Sequence, residues 1–201
     1  MPTNDPLVTT GESFDDGDFA EAGWQGRTFA TCTFRGADLT GLAAADCVFE
    51  DCDFSFARLG SARFKDTALT NCVFRGADLF VAAFDGCRLL GASVNDAPLT
   101  ALTITGGDWS YAILRGQTLT KTELSGVRFA GADFYGADLR KANLQNADLT
   151  KANLAHAKLS GANLRGAILD GVDFKTFDLT GVKLDFTQAI LVARAYGAVV
   201  G

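Results

Sequence analysis

The chain has 201 residues, 48% of them apolar, and its 18 basic and 24 acidic side chains give a formal charge of −6. That balance speaks against direct binding to nucleic acid, which needs a surplus of cations, and there is no run of about 18 apolar residues to span a membrane. The opening MPTNDPLVTTGES has neither a basic region nor an apolar core, so it does not read as a secretory leader. Residues 1–12 are expected to form a loose tail, and the default location is cytoplasmic.

From Phe14 to Leu184 a large apolar residue recurs at every fifth position, and of these 35 positions only Ala44 fails. On a helix turning ~100° per residue such a stripe would smear around the surface, and on a strand it would alternate between faces. The conflict disappears if the chain turns a corner once per repeat. The large centre and the small residue two before it then both point inward. The position two after the centre, often glycine (Gly36, Gly76, Gly131, Gly136, Gly161, Gly166), takes the corner. Sampling centres every 20 residues gives uniform columns, Phe14, Phe34, Phe54, Phe74 and Leu39, Leu59, Leu79, Leu99, whereas sampling every 15 mixes residue types. Four sides per coil follow, in an all-β solenoid whose coils bury their apolar faces only by stacking.

Taken in order, the first repeats are irregular: Trp24 is a centre and Arg27 occupies an inward slot, so a frayed or modified first coil that caps the open edge is expected. At Leu42-Ala43-Ala44 large and small residues exchange places, and Leu42 should fill the volume that Ala44 vacates. Cys32, Cys47, Cys52, Cys72 and Cys87 all fall in the small inward slot and read as core filler. Cys32, Cys52 and Cys72 share a column, so adjacent ones lie near enough to bridge. A metal would want convergent partners, and the single histidine, His156, sits at an outward corner.

Residues 1–100 hold 15 acidic and 7 basic side chains, and residues 101–201 hold 9 and 11. The densest acidic patch is Asp46, Glu50, Asp51 and Asp53, with Asp66 one coil above Asp46 on the same corner. It reads either as a solvated surface that keeps the protein soluble or as a surface presented to a basic partner. The span from Ala97 to Leu124 is the least regular: Leu102, Gln117 and Thr122 take slots meant for small residues. Pro98 removes a ladder donor before the centre Leu99, which predicts a kink there.

The most regular stretch is Gly131–Leu169. Asp133, Asp138 and Asp148, and beyond it Asp173 and Asp178, directly precede centres and read as residues that bond backbone groups at corners. No insertion interrupts the phase. With no Ser–His–Asp set and no phosphate-cradling glycine loop, no catalytic activity, cofactor or small-molecule substrate is expected. After Leu184 a helix over QAILVARAY is predicted, with Thr187 as N-cap and Gly197 as its stop. About ten residues are marginal alone, so the segment should dock on the last coil. It would act there either as a cap only or also as a two-fold homodimer interface through Ile190, Leu191, Val192, Ala195 and Tyr196. The expected layout is a tail over 1–12, repeats over 13–184 and a capping or dimerisation segment over 185–201.

The pattern Ala-(Asp/Asn)-Leu-x-x, as in GADLRKANLQNADL from Gly136 to Leu149, resembles the pentapeptide-repeat proteins over roughly nine-tenths of the chain. The resemblance implies a right-handed quadrilateral parallel β-helix, here of about eight to nine coils, with a short C-terminal α-helix. Within that family the chain is similar to the MfpA- and Qnr-type quinolone-resistance group in its size and near-continuous repeats. The terminal segment matches too, with Gln188-Ala189 opening the helix, Gly197 closing it and an apolar tail. Pro98 before a central Leu resembles the MfpA-type rods, as does the lack of projecting loops. This similarity implies a homodimeric DNA mimic that binds DNA gyrase or topoisomerase IV and protects it from fluoroquinolones or a natural poison. Asp46, Glu50, Asp51, Asp53 and Asp66 would make the contact. The alternative is a non-enzymatic structural or interaction rod with an unrelated protein partner.

Overall fold

The computed structural model describes residues 8–200, so residues 1–7 of the expected tail lie outside the described residues. The chain divides into two compact units, Met1–Thr103 and Ile104–Gly201.

In the first unit, three-residue strands form two parallel sheets. They are β1 (Val8–Thr10), β2 (Gly23–Gln25), β3 (Thr28–Ala30), β4 (Ala43–Ala45), β5 (Val48–Glu50), β6 (Arg63–Lys65), β7 (Ala68–Thr70) and β8 (Ala83–Asp85). One sheet runs β1-β3-β5-β7, and β2, β4, β6 and β8 follow one another in the second. Partners lie one coil apart, Val8 opposite Thr28 and Phe29 opposite Phe49. The two remaining sides carry single bridges, such as Thr33 to Asp53 and Arg58 to Asp78. Each side ends at a corner with positive φ, at Gly26, Thr31, Gly36, Gly41, Asp46 and onward every fifth residue. This is the parallel β-solenoid that a period of five requires. Its core is a column of stacked rings, Phe14 on Phe34 (4.9 Å), Phe34 on Phe54 (4.9 Å) and Phe54 on Phe74 (5.0 Å).

Two expectations about the start need correcting. The lattice begins at Val8 rather than at Ser13, because β1 already pairs with β3. Of the two forms expected for the first coil, frayed or modified, it is not frayed: Trp24 is buried and packs on Phe29 at 5.1 Å, and Phe14 stacks on Phe34. Aromatic area of this kind replaces the small-residue pattern that the sequence lacks there. Leu42 and Ala44 are both buried, as their exchange predicted. At exposed Pro98 the bridge column Asp18, Asp38, Arg58, Asp78 ends, because proline has no N–H to give. The last strand, β9 (Thr103–Thr105), opens with the Thr103 N–H donating to the Ala82 carbonyl at 2.9 Å.

In the second unit the sides carry isolated parallel bridges, including Asp133 to Asn153 and Asp138 to Lys158, and the corners again take positive φ. The large Gln117 is accommodated, buried, in its inward slot, and Thr122 is half-buried. The sequence phase is unbroken, but the register is not. The Gly136 N–H donates to Ala155 and the Lys141 N–H to Ser160, whereas His156 donates to Thr176 and Gly161 to Gly181, one residue further on. Thr176 does not take the positive φ of a corner, and its hydroxyl donates to the Asp173 carbonyl at 2.8 Å. Phe177, a large ring in a slot that elsewhere mostly holds a small residue, sits at this point; it is half-buried, as are Leu179, Val182 and Leu184 of the same terminal coil, and register returns at Asn163 to Lys183.

The chain ends in α1 (Phe186–Ala195), whose N-cap is Asp185, not Thr187. Asp185 Oδ1 accepts from the Gln188 N–H at 2.9 Å while Gln188 Oε1 accepts from the Asp185 N–H at 3.0 Å, a reciprocal capping box. Gly197, at φ +90°, stops the helix, with its N–H donating to Arg194 and that of Ala198 to Ala193.

Truncating the middle of the ring column tests this core. Phe54→Ala should cost about 3–5 kcal/mol, read as a lower urea midpoint with unchanged strand content in circular dichroism.

Candidate partner-binding surfaces

The sheet β1-β3-β5-β7 is bounded by two corners, and the acidic residues line both. Asp46 and Asp66 occupy successive coils of one corner, with φ of +51° and +47°. Glu50 ends β5 and Asp51 turns the opposite corner at φ +52°. All four are exposed, and among the described residues none takes part in an ion pair. Asp46 accepts from Gln25 Nε2 at 2.7 Å and Asp51 from Asn71 Nδ2 at 3.1 Å, both neutral donors that leave the charge in place. The next corner above Asp66 is Gly86, where a Cβ would stand 2.5 Å from Asp66 Oδ1. Lys65 lies beside Asp66 in sequence, and its carbonyl accepts from the Asp46 N–H.

The fifth candidate does not join this set. Asp53 lies on the neighbouring side and is half-buried, and its Oδ2 is held by Arg35 Nε at 2.6 Å. Burial pushes its carboxyl up, but hydrogen bonds from Ser55 and the Arg35 guanidinium outweigh that and hold it below its ordinary value. Sequence spacing could not show this, because Arg35 reaches it from the preceding coil.

The recurrent aspartates before centres do local work. Each accepts through Oδ1 from the N–H two residues on, as in Asp38 to Thr40 (3.0 Å), Asp78 to Phe80 (3.0 Å) and Asp148 to Thr150 (3.0 Å). Asp138 adds a two-pronged pair with Arg140, whose Nε and Nη2 lie 2.8 and 2.6 Å from its oxygens. That pair, with the Arg140 N–H, lowers its carboxyl to about 2 against the opposing effect of burial. The five thiols are free and buried. Burial raises that of Cys87 to about 11, which leaves it protonated and unreactive. Among the described residues no group of three metal-ligating side chains gathers, and no helix is long and apolar enough to cross a membrane.

The helix α1 closes the last coil through polar contacts. Its one fully buried residue is Gln188, whose Nε2 donates to the carbonyls of Leu164 (2.5 Å) and Ala167 (2.8 Å). Asp185 Oδ2 accepts from the Gly166 N–H at 2.7 Å, and the Tyr196 hydroxyl donates to the Phe174 carbonyl at 3.2 Å. Its apolar residues are left over: Ile190, Leu191, Val192 and Ala195 are half-buried, and Tyr196 is exposed. Phe186 (83% exposed) and Val199 (99%) join them, two residues that the sequence reading passed over. The spacing Asp185-x-x-Gln188 was the available signal for the clamp.

A family model described as pentapeptide repeats matches in eight copies, covering residues 32–80 and 99–191 between them. Among curated proteins the chain is similar to the pentapeptide repeat protein MfpA of Mycobacterium tuberculosis, 34% identical over 51% of this chain and 56% of that protein. It is also similar to the quinolone resistance pentapeptide repeat protein QnrB96 of Scandinavium goeteborgense, 33% identical over 63% of this chain and 59% of that one. These matches thus span less than two thirds of each relative. Among solved structures, a trypsin-treated form of QnrB1, a plasmid-mediated fluoroquinolone resistance protein, aligns over 97% of this chain and 98% of its own with a TM-score of 0.86 and 32% identity. HetL, involved in heterocyst differentiation regulation in the cyanobacterium Nostoc, aligns over 89% of this chain and 85% of its own with a TM-score of 0.59 and 28% identity.

The Asp138–Arg140 pair gives a signed pH dependence. The carboxyl falls from an ordinary 3.8 to about 2 on folding. The pair's stabilisation is therefore complete above the ordinary value and is lost as pH falls towards 2. The urea midpoints of the native protein and Asp138→Asn should differ by a constant amount from about pH 7 to 5 and converge near pH 2. A gap independent of pH would show that the pair contributes nothing.

Proposed function

Because the chain belongs to the pentapeptide-repeat family, we propose that it is a non-enzymatic, homodimeric DNA mimic that works in the cytoplasm. It binds the DNA-binding surface of a type II topoisomerase, DNA gyrase or topoisomerase IV, and protects that enzyme from fluoroquinolones or a natural poison. The relatedness to the quinolone resistance protein QnrB96 and to the fluoroquinolone resistance protein QnrB1, with that to the pentapeptide repeat protein MfpA, supports the class of partner.

The observation that carries the reading is the charge of the corners. A corner needs left-handed backbone, which Asp and Asn tolerate better than most residues. Yet Lys121, Lys141 and Lys151 take the same conformation at φ of +63°, +60° and +56°. The fold therefore does not dictate acid at Asp46, Asp51 and Asp66. Unpaired carboxylates on both borders of one flat sheet are what a basic, duplex-binding surface would recognise. Asp46, Glu50, Asp51 and Asp66 are the proposed contacts, with Asp53 set back by its pairing to Arg35. Uncovered apolar residues on α1 favour a second copy seated there. The likeness to HetL keeps one rival in view, an interaction protein with a different partner on the same fold.

Titration into a gyrase supercoiling assay and a drug-stabilised cleavage assay separates the two. Inhibition of supercoiling with reduced cleavage is expected, and Asp46→Asn with Asp51→Asn and Asp66→Asn should weaken both roughly tenfold or more. No effect at about 10 µM protein would sink the topoisomerase reading. In light scattering the native protein should run as a dimer at about 50 µM. Leu191→Glu with Tyr196→Glu should give a monomer with the coils still folded.

A further inference from the structure

Where the register slips beside Phe177, the second unit carries a cleft of about 460 Å³, within the range of small-molecule sites. Arg140, His156, Lys158, Thr176, Phe177 and Asp178 line it, drawn from three successive coils. We propose that this cleft binds a nucleoside monophosphate or a ligand of the same build, a phosphate ester on a hydroxylated, ring-bearing body. It would be a bound ligand, not a substrate, and the proposal is independent of the topoisomerase reading.

The residues divide by chemistry. Arg140 holds Asp138 through Nε and Nη2, which fixes the guanidinium plane and leaves Nη1 for another acceptor. Lys158 pairs with no carboxylate among the described residues, and it shares its coil with His156. The imidazole of His156 is steadied edge-on against the Tyr135 ring, with centroids 5.2 Å apart. These three groups form the anion end, with the hydroxyl of Ser160 as a further donor.

Asp178 argues against a bare anion. Its Oδ1 accepts from the N–H and the hydroxyl of Thr180 at 2.8 and 2.7 Å, which hold the carboxyl below its ordinary value and therefore charged. A free phosphate would be repelled by it. A ligand that also carries hydroxyl donors would use it, as sugar hydroxyls use acidic residues in nucleotide sites. Half-buried Phe177 offers a ring for the body of such a ligand. Phe177 both departs from the small-residue pattern of its slot and lines the cleft.

His156 is the single histidine, so one imidazole Cε1–H resonance reports on the cleft. Adenosine 5′-monophosphate should move that resonance saturably, with a Kd of about 0.1–1 mM. Adenosine alone and inorganic phosphate alone should each bind at least about tenfold more weakly. Lys158→Ala should weaken binding by about tenfold with the melting transition unchanged, whereas Lys121→Ala, at a different corner, should not. Phe177→Ala should abolish the response. The proposal is overturned by no saturable shift at about 10 mM nucleotide, by equal responses in the native protein and Lys158→Ala, or by phosphate alone matching the nucleotide.

Discussion

Everything in this protein depends on the parallel backbone ladder between successive coils. In a regular coil each side donates N–H groups to both neighbouring coils and accepts from both, as Asn143 donates to Thr122 of the preceding coil and Leu144 to Asn163 of the following one, and the chain keeps that register by turning left-handed once every five residues. That turn is costly for any residue with a Cβ, of order 1 kcal/mol each. Stacked apolar columns offset the cost, which is why the centres tolerate almost no polar residue. The corners, by contrast, are constrained only in backbone. Asp66, Asn71, Lys141, His156 and glycine all serve there, so the surface is free to vary in charge while the core is not. An acidic border on one unit and lysine corners on the other are two uses of one conformational slot.

A ladder of this kind leaves donors and acceptors open at its ends. At the C-terminal end the chain closes them with an amide. Gln188 satisfies the Ala167 carbonyl, which a next coil would have taken, and shares the Leu164 carbonyl with the Ala167 N–H, while Asp185 accepts from the Gly166 N–H and caps its own helix. A polar residue is thus the most buried part of α1, while Ile190, Leu191, Val192 and Ala195 are half-buried and Phe186 and Tyr196 are exposed. The same segment thus closes the ladder of its own solenoid through side-chain hydrogen bonds.

The departures from the lattice fall at identifiable residues. Pro98 ends a bridge column because it has no N–H. Leu42 and Ala44 exchange roles with no loss of burial because their summed volume is preserved. Phe177 has no small partner to offset it, and the side carrying it shifts by one residue in register. Sequence phase alone is blind to that difference: both sites keep the period of five, and only packing decides which of them also keeps the ladder.

The period of five, with its uniform columns at twenty, already determined the four-sided parallel solenoid, the inward cysteines and the corner positions, because each is a direct consequence of repetition. The helix and its glycine stop were legible for similar local reasons. Tertiary structure decided what depends on neighbours from other coils. Arg35 withdraws Asp53 from the acidic border, pairing of β1 with β3 brings the ladder forward to Val8, and Asp185 rather than Thr187 caps α1 because Gly166 and Gln188 both bond to it. Residues that meet one coil apart are separated by about twenty positions in the chain, and which of them are close enough to pair is a property of packing, not of spacing.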